Sequence, residues 1–354
     1  MKSVFNSPTP TKPQQYDVIT FGAATIDVFL RSSEFSVVKA GAAMPGSGKA
    51  ECVPLGAKIE VRDMTIATGG GATNNAVSFS RKGFRTAAVF SVGGAINADS
   101  ILGDLKKEGV DTYEQRYPEL YSGYSVILVT MGGERTILTH RGASKFLNTA
   151  LVPWNHMNAK WAYLSSLGGN IDAVRAIMDH AAANHIGIAW NPGSVELHYG
   201  AEKLEDLLHK TAVLFVNEEE AALLANEHMG NTNVIFSKLQ RISKGVLLVM
   251  TRGPQGVMVS HERAVYSAGI FKEREAVDRT GAGDAFGSGF VSALLEVGAW
   301  NADIIKEAIR RGSANGTSVL EKIGAKAGLL TREALNDERW KELPITVNDA
   351  SNAS

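Results

Sequence analysis

Two carboxylates and two glycine clusters hold the chemistry available to this chain. Residues 278–290 read DRTGAGDAFGSGF. Phe286, Phe290 and Leu294 recur every fourth residue, as do Ala285, Gly289 and Ala293, which predicts a helix starting near Gly283 or Asp284. Gly281, Ala282 and Gly283 then lie just before it, with N–H groups free to face an anion. Asp284 falls in the first turn, where the helix dipole favours an ionised carboxylate. An anion hole beside a carboxylate suits phosphoryl transfer to a hydroxyl: the carboxylate takes the proton and the amides stabilise charge on the phosphoryl oxygens. Taken locally, a glycine-lined helix start with an acidic first turn explains the same residues.

The second cluster is TIATGGGATNNAVSFSRKGF, residues 65–84. Gly69, Gly70 and Gly71 let a ligand approach the backbone, and Thr73 or Asn74 is expected to open a helix with free N–H groups. A plain turn with an N-cap is the alternative. Asp27, in FGAATIDVFL (21–30), follows the first apolar run. A carboxylate near a strand end can accept hydrogen bonds from two vicinal hydroxyls; a capping or surface role is the alternative. PGSGKA (45–50) only mimics a phosphate loop, because Ala43 and Ala50 stand where Gly and Ser or Thr are required.

The elements that must position these residues follow an α/β rhythm. Apolar runs at 16–22, 85–92, 161–167, 186–190, 212–217 and 245–251 read as buried parallel strands. Helical segments are expected at 73–83, 97–108, 171–184, 218–228 and 231–243, so the main domain is a parallel sheet covered on both faces. Residues 28–68, with β-like pieces ECVPL and KIEVRD, and 124–142 break the rhythm. In the latter, two strands joined by a turn at Met131–Arg135 are expected. Together these segments form a small β-lid.

Composition narrows the partners. Lys plus Arg is 36 and Asp plus Glu is 37, so no basic surface for nucleic acid is expected. Cys52 is the only cysteine, which argues against an internal disulfide or a Cys-based zinc cluster and favours a reducing cytoplasm. Residues 1–15 read as a disordered lead without signal or anchor character, and 344–354 as a polar, frayed tail. No apolar run suits a membrane helix. The eight histidines are scattered and read as structural. Arg135 and Arg141 read as solvated lid charges, with substrate contact the alternative, and NPGS (191–194) as a turn at the ligand-bearing edge, with lining of the phosphate site the alternative.

GGATNNAVSFSRKGFRTAAVFSVG (70–93) and DRTGAGDAFGSGF together resemble the two signatures of the PfkB, or ribokinase-like, carbohydrate kinases, over about Tyr16–Leu330. Arg279 departs from the small residue or proline usual there. The resemblance implies a three-layer α/β/α kinase domain over residues 16–343 with a mainly parallel central sheet and a small β-lid. It implies Asp284 as general base, Gly281, Ala282 and Gly283 as anion hole, and Asp27, Gly70, Gly71 and Asn74 as acceptor contacts. Asn217 and Glu220 match the family's motif for magnesium and phosphate. Thr251, Gly253 and Gly256 match the nucleotide-phosphate loop, Asn315 an adenine contact, and Asp278 and Thr280 a monovalent-cation site such as one for K⁺. It further implies ATP and Mg²⁺ as co-substrate and cofactor, and a homodimer through the lid. The activity expected is transfer of the γ-phosphoryl group to a hydroxymethyl of a sugar or sugar-containing small molecule. A nucleoside kinase is the nearest rival, and a non-catalytic sugar- or nucleotide-sensing protein the rival of another class.

Overall fold

The structure, a computed structural model, describes residues 15–39, 49–94, 96–131, 135–297 and 300–349. Its frame is a 10-stranded sheet. Seven strands run parallel, in the spatial order Leu247–Thr251, Val213–Asn217, Gly187–Asn191, Asn158–Ser165, Gln15–Phe21, Thr86–Gly93 and Asp111–Tyr117. The Val-, Ile- and Ala-rich runs are buried on both faces, as strands under two helical layers must be. All eight residues of Thr86–Gly93 are buried. One hydrophobic cluster gathers Trp190, Leu204 and Phe236; a second gathers Tyr163, Phe215 and Phe290. Every strand and helix expected for this domain is present within three residues of its expected bounds.

Three antiparallel strands, Val257–His261, Ala264–Ala268 and Ile345–Asp349, extend the sheet at one edge. The last corrects the expectation of a frayed tail. Its residues are polar and mostly exposed, but backbone pairing with Ala264–Ala268 needs no apolar side chains.

The lid is a separate 4-stranded sheet ordered Asp63–Gly69, Thr25–Arg31, Gly123–Val129 and Arg135–His140. It begins three residues earlier than expected, so Asp27 lies within a lid strand rather than behind a core strand. KIEVRD is not a strand; pairing with Thr25–Arg31 begins at Asp63. Gly123–Val129 alternates buried and half-buried residues, and pairs antiparallel with Arg135–His140. The turn expected between them falls largely outside the described residues. Ser36–Lys39 and Lys49–Cys52 form a small ribbon beside the lid. The Gly71–Arg81 and Ala282–Leu295 helices bring the two glycine clusters together beneath the lid.

Candidate active site

The Ala282–Leu295 helix starts one to two residues before its expected position, with Gly281 as N-cap at φ 78°. A side chain there would be strained and would also place a Cβ 2.3 Å from that of Ala325. Ala282 and Gly283 therefore form the first turn, while Gly281 supplies the bend before it. The Gly71–Arg81 helix starts similarly at Gly70, φ 96°, where a Cβ would lie 2.4 Å from the carbonyl oxygen of Ala23. Neither N-cap has a side chain to offer the free amides.

The two helix starts meet at Asp284. Asn74 Nδ2 donates to its Oδ2 at 2.9 Å, and Asn75 Nδ2 donates to its Oδ1 at 3.2 Å. Asn75 also donates to the Gly71 carbonyl at 2.7 Å and to Ser165 Oγ at 3.1 Å. Burial pushes the Asp284 carboxyl above its ordinary pKa, opposed by the two amide hydrogen bonds. This corrects the emphasis on the helix dipole: desolvation outweighs the groups favouring the charge. A raised pKa suits a base that must accept a hydroxyl proton. Behind it, Gly287 packs on Tyr163; a Cβ there would meet the phenol oxygen at 2.0 Å.

Asp27 is buried in the lid strand Thr25–Arg31. Its carboxylate accepts a hydrogen bond from Thr25 Oγ1 at 3.1 Å, and Gly69 packs so closely that a Cβ would lie 2.0 Å from Oδ2. Burial raises the Asp27 pKa, while hydrogen bonds from Ser125 and Thr25 and the charge of Lys326 oppose that rise. Lys326 is itself buried, donating to Thr68 Oγ1 at 2.7 Å and Asp104 Oδ2 at 3.0 Å.

On the other side of Asp284 runs a groove. Its first chamber, about 240 Å³, is lined by Asn191, Asn217, Glu220, Thr251, Gly281 and Gly283 as well as Asp284. Asn217 and Glu220 form a reciprocal cap: Asn217 N donates to Glu220 Oε2 at 2.9 Å, and Glu220 N donates to Asn217 Oδ1 at 2.8 Å. Burial raises the Glu220 pKa, the Asn217 amide opposes this, and Glu219 and Glu196 add to it. The second chamber, about 230 Å³, shares Thr251, Gly283 and Phe286 and adds Gly253, Gly256, Ser313, Gly316 and Thr317.

Asn315 is the misplaced expectation. It is fully buried, donating to Ser78 Oγ at 3.1 Å and the Ala285 carbonyl at 2.6 Å, and accepting from Leu330 N at 2.9 Å. Helical geometry turns it inward, and Ser313, Gly316 and Thr317 line the groove instead. Asp278 accepts from Thr280 N at 2.9 Å, Thr280 Oγ1 at 2.8 Å and Gly324 N at 3.0 Å, fixing the turn before Gly281.

Two contributors escaped the sequence reading. Asn75 was masked by its neighbour Asn74, and its spacing from Asp284 carries no signal. Glu196, fully buried, accepts from Ser166 Oγ, Leu167 N, Gly169 N and Gly193 N, so it ties the NPGS turn to the 165–169 loop.

A family model described as pfkB family carbohydrate kinase matches residues 20–332. A ribokinase from Haemophilus influenzae is 27% identical over 76% of this chain and 86% of its own length. The solved ribokinase of Giardia lamblia aligns over 91% of this chain and 99% of its own, with TM-score 0.76 and 20% identity. A Burkholderia thailandensis nucleoside kinase solved in complex with inosine aligns over 91% and 97%, with TM-score 0.70 and 20% identity. At those identities the two structures speak for the fold alone.

Proposed function

The chain belongs to the pfkB family of carbohydrate kinases, ATP-dependent phosphotransferases with an alcohol group as acceptor, and from that premise we propose how its residues divide the reaction. The acceptor is a sugar or sugar-containing small molecule, and its hydroxymethyl group receives the γ-phosphoryl group. The carrying observation is Asp284, held by Asn74 and Asn75 where the lid side and the groove meet. Asp284 takes the hydroxyl proton as the oxygen–phosphorus bond forms. The amides of Gly281, Ala282 and Gly283 face the transferring group and stabilise its oxygens. Asp27, Gly70, Gly71 and Asn74 hold the acceptor, with Asp27 accepting from its hydroxyls. Thr251, Gly253 and Gly256 receive the nucleotide phosphates, and the Ser313–Thr317 wall receives the base. Lid closure excludes water that would otherwise compete as acceptor.

Mg²⁺ fits the first chamber. Glu220 is a half-buried carboxylate whose pKa is raised by desolvation and by the nearby Glu219 and Glu196, and Asn191 and Asn217 supply neutral oxygens beside it. Bound there through water, the ion would neutralise phosphate charge. Asp278 and Thr280 would hold K⁺; the carboxylate already serves the turn, so a cation there would share an oxygen with those hydrogen bonds. Homodimerisation through the lid is supported by exposed Met64, Ile66 and Leu138, which are 65%, 60% and 56% accessible. A cytoplasmic setting and no nucleic-acid partner accord with the single cysteine and the near-zero net charge.

A nucleoside acceptor is the second reading, supported by the nucleoside kinases among the chain's relatives. Ribose, fructose, adenosine, inosine and cytidine with coupled ADP detection separate the two. Nucleotide binding without ADP release on any acceptor would favour a non-catalytic sensor and overturn the kinase assignment.

A further inference from the structure

Asp27 is one end of a longer lid face. Side chains alternate along a strand, so Asp27, Phe29 and Arg31 share a side. Strand register carries that side across the sheet: Phe29 pairs with Thr65 and Ile127, Arg31 with Asp63 and Val129, and Val129 with Arg135. The face therefore passes from the Asp27 carboxylate, over apolar Phe29, Ile127 and Val129, to two guanidinium groups. Asp27 and Arg31 are about 13 Å apart along the strand at roughly 3.3 Å per residue. The long arginine side chains shorten that gap.

Between the far end and the core lies a cleft of about 360 Å³, walled by Phe29, Arg31, Arg62, Val129, Val277 and Ile323. Its lining carries two arginines, Arg31 and Arg62, and two carboxylates, Asp63 and Asp278, and Arg135, on the same lid face as Val129 and Arg31, adds a third guanidinium. Arg31 has no hydrogen-bonding or ion-pairing side-chain partner among the described residues. Among the described residues Arg135 Nε is buried without a hydrogen-bond partner, and burial lowers the Arg135 pKa, opposed by Asp278 and reinforced by Arg279. Arg62 meets only Asp63, at 3.9 Å in an exposed pair. The other lining carboxylate, Asp278, already accepts from Thr280 and Gly324. A buried guanidinium nitrogen without a partner, as at Arg135 Nε, is costly, and the planar donor fork of arginine matches carboxylate or phosphate.

We propose that this cleft is an anion subsite continuous with the acceptor site, so that the acceptor is a sugar carrying a phosphate or carboxylate remote from its reacting hydroxymethyl group. This rests on the kinase reading above and narrows it. A neutral sugar would use Asp27 and leave the arginines unanswered.

The test uses full-length protein, ATP and matched acceptors: ribose with ribose 1-phosphate, fructose with fructose 6-phosphate, and glucose with gluconate. Wild type, Arg31→Ala and Arg135→Ala are compared, with nucleotide binding and thermal melting confirming that each variant folds. In at least one pair the anionic member should have a kcat/KM at least tenfold above its neutral partner. That ratio should fall at least tenfold in one or both variants; the phosphate and carboxylate pairs distinguish the group bound. Neutral members used equally well or better in every pair would overturn the proposal while leaving the kinase reading intact, as would a preference that survives in both variants. Inorganic phosphate should compete with the anionic acceptor. If it instead accelerates turnover of a neutral acceptor, the cleft is an effector site and the proposal fails. ADP release with no acceptor in the panel would overturn both readings.

Discussion

The core and the lid solve different problems with the same strand chemistry. The core buries its strands on both faces, and its two glycine-led helices converge so tightly that Asn74 and Asn75 both reach Asp284. The lid is four strands with one half-covered face, leaving Met64, Ile66 and Leu138 exposed. Dense packing gives the core one arrangement for its reacting groups. The lid carries few contacts of that kind, so its sequence can vary the acceptor without disturbing the base. On the proposed assignments, chemistry belongs to the core and acceptor selectivity to the lid, and substitutions on either side should separate the two.

Gly281→Ala should break the core side severely. Its φ of 78° and the Ala325 contact oblige the turn to move, displacing the amides proposed to face the phosphoryl group. Steady-state kinetics should show kcat reduced about 10²-fold, in the range for losing one oxyanion donor. Asp27→Ala tests the lid side. Loss of a charged hydrogen-bond partner costs about 1.5–3 kcal/mol, so acceptor kcat/KM should fall roughly 10–100-fold, with ATP affinity measured by calorimetry unchanged. An equal loss of ATP affinity would contradict the division.

Asn75→Ala should act more gently and through pH. Its amide favours the ionised Asp284, so removing it raises that pKa further. The acidic limb of the kcat profile should move to higher pH, with a several-fold loss below neutrality that shrinks as pH rises. Smallest in kinetic effect is Met64→Ser with Ile66→Ser on the lid's exposed surface. Such changes alter monomer stability by about 0.5 kcal/mol or less, yet should shift a lid-mediated dimer toward monomer in analytical ultracentrifugation.

Much of the core was legible because its signals are local. Buried strands announce themselves as Val- and Ile-rich runs, and Gly281 and Asp284 lie within one short motif. The helix starts were displaced by only one to three residues, since glycines that cap and glycines that begin a helix look alike in sequence. Asn315 was misread because a polar residue in a late helix carries no label for which face it occupies; the hydrogen bonds to Ser78, Ala285 and Leu330 decide that. Asn75 and Glu196 were invisible for the converse reason, as their partners lie far along the chain or are backbone amides. The strand at Ile345–Asp349 was lost because an edge strand needs backbone pairing more than apolar side chains.

The raised Asp284 pKa has a thermodynamic corollary. A carboxyl whose folded pKa exceeds its unfolded value stabilises the fold less as pH rises through that window, so above it the ionised group is a net cost. Asp284→Asn removes that cost and keeps the size of the side chain. The direct test is acceptor-dependent ADP release by Asp284→Asn at neutral pH, alongside ATP binding and melting temperature. Turnover should fall by about 10²–10⁴-fold, with ATP affinity retained and a melting temperature equal to or above wild type. Near-normal turnover would contradict the assignment of Asp284 as the base.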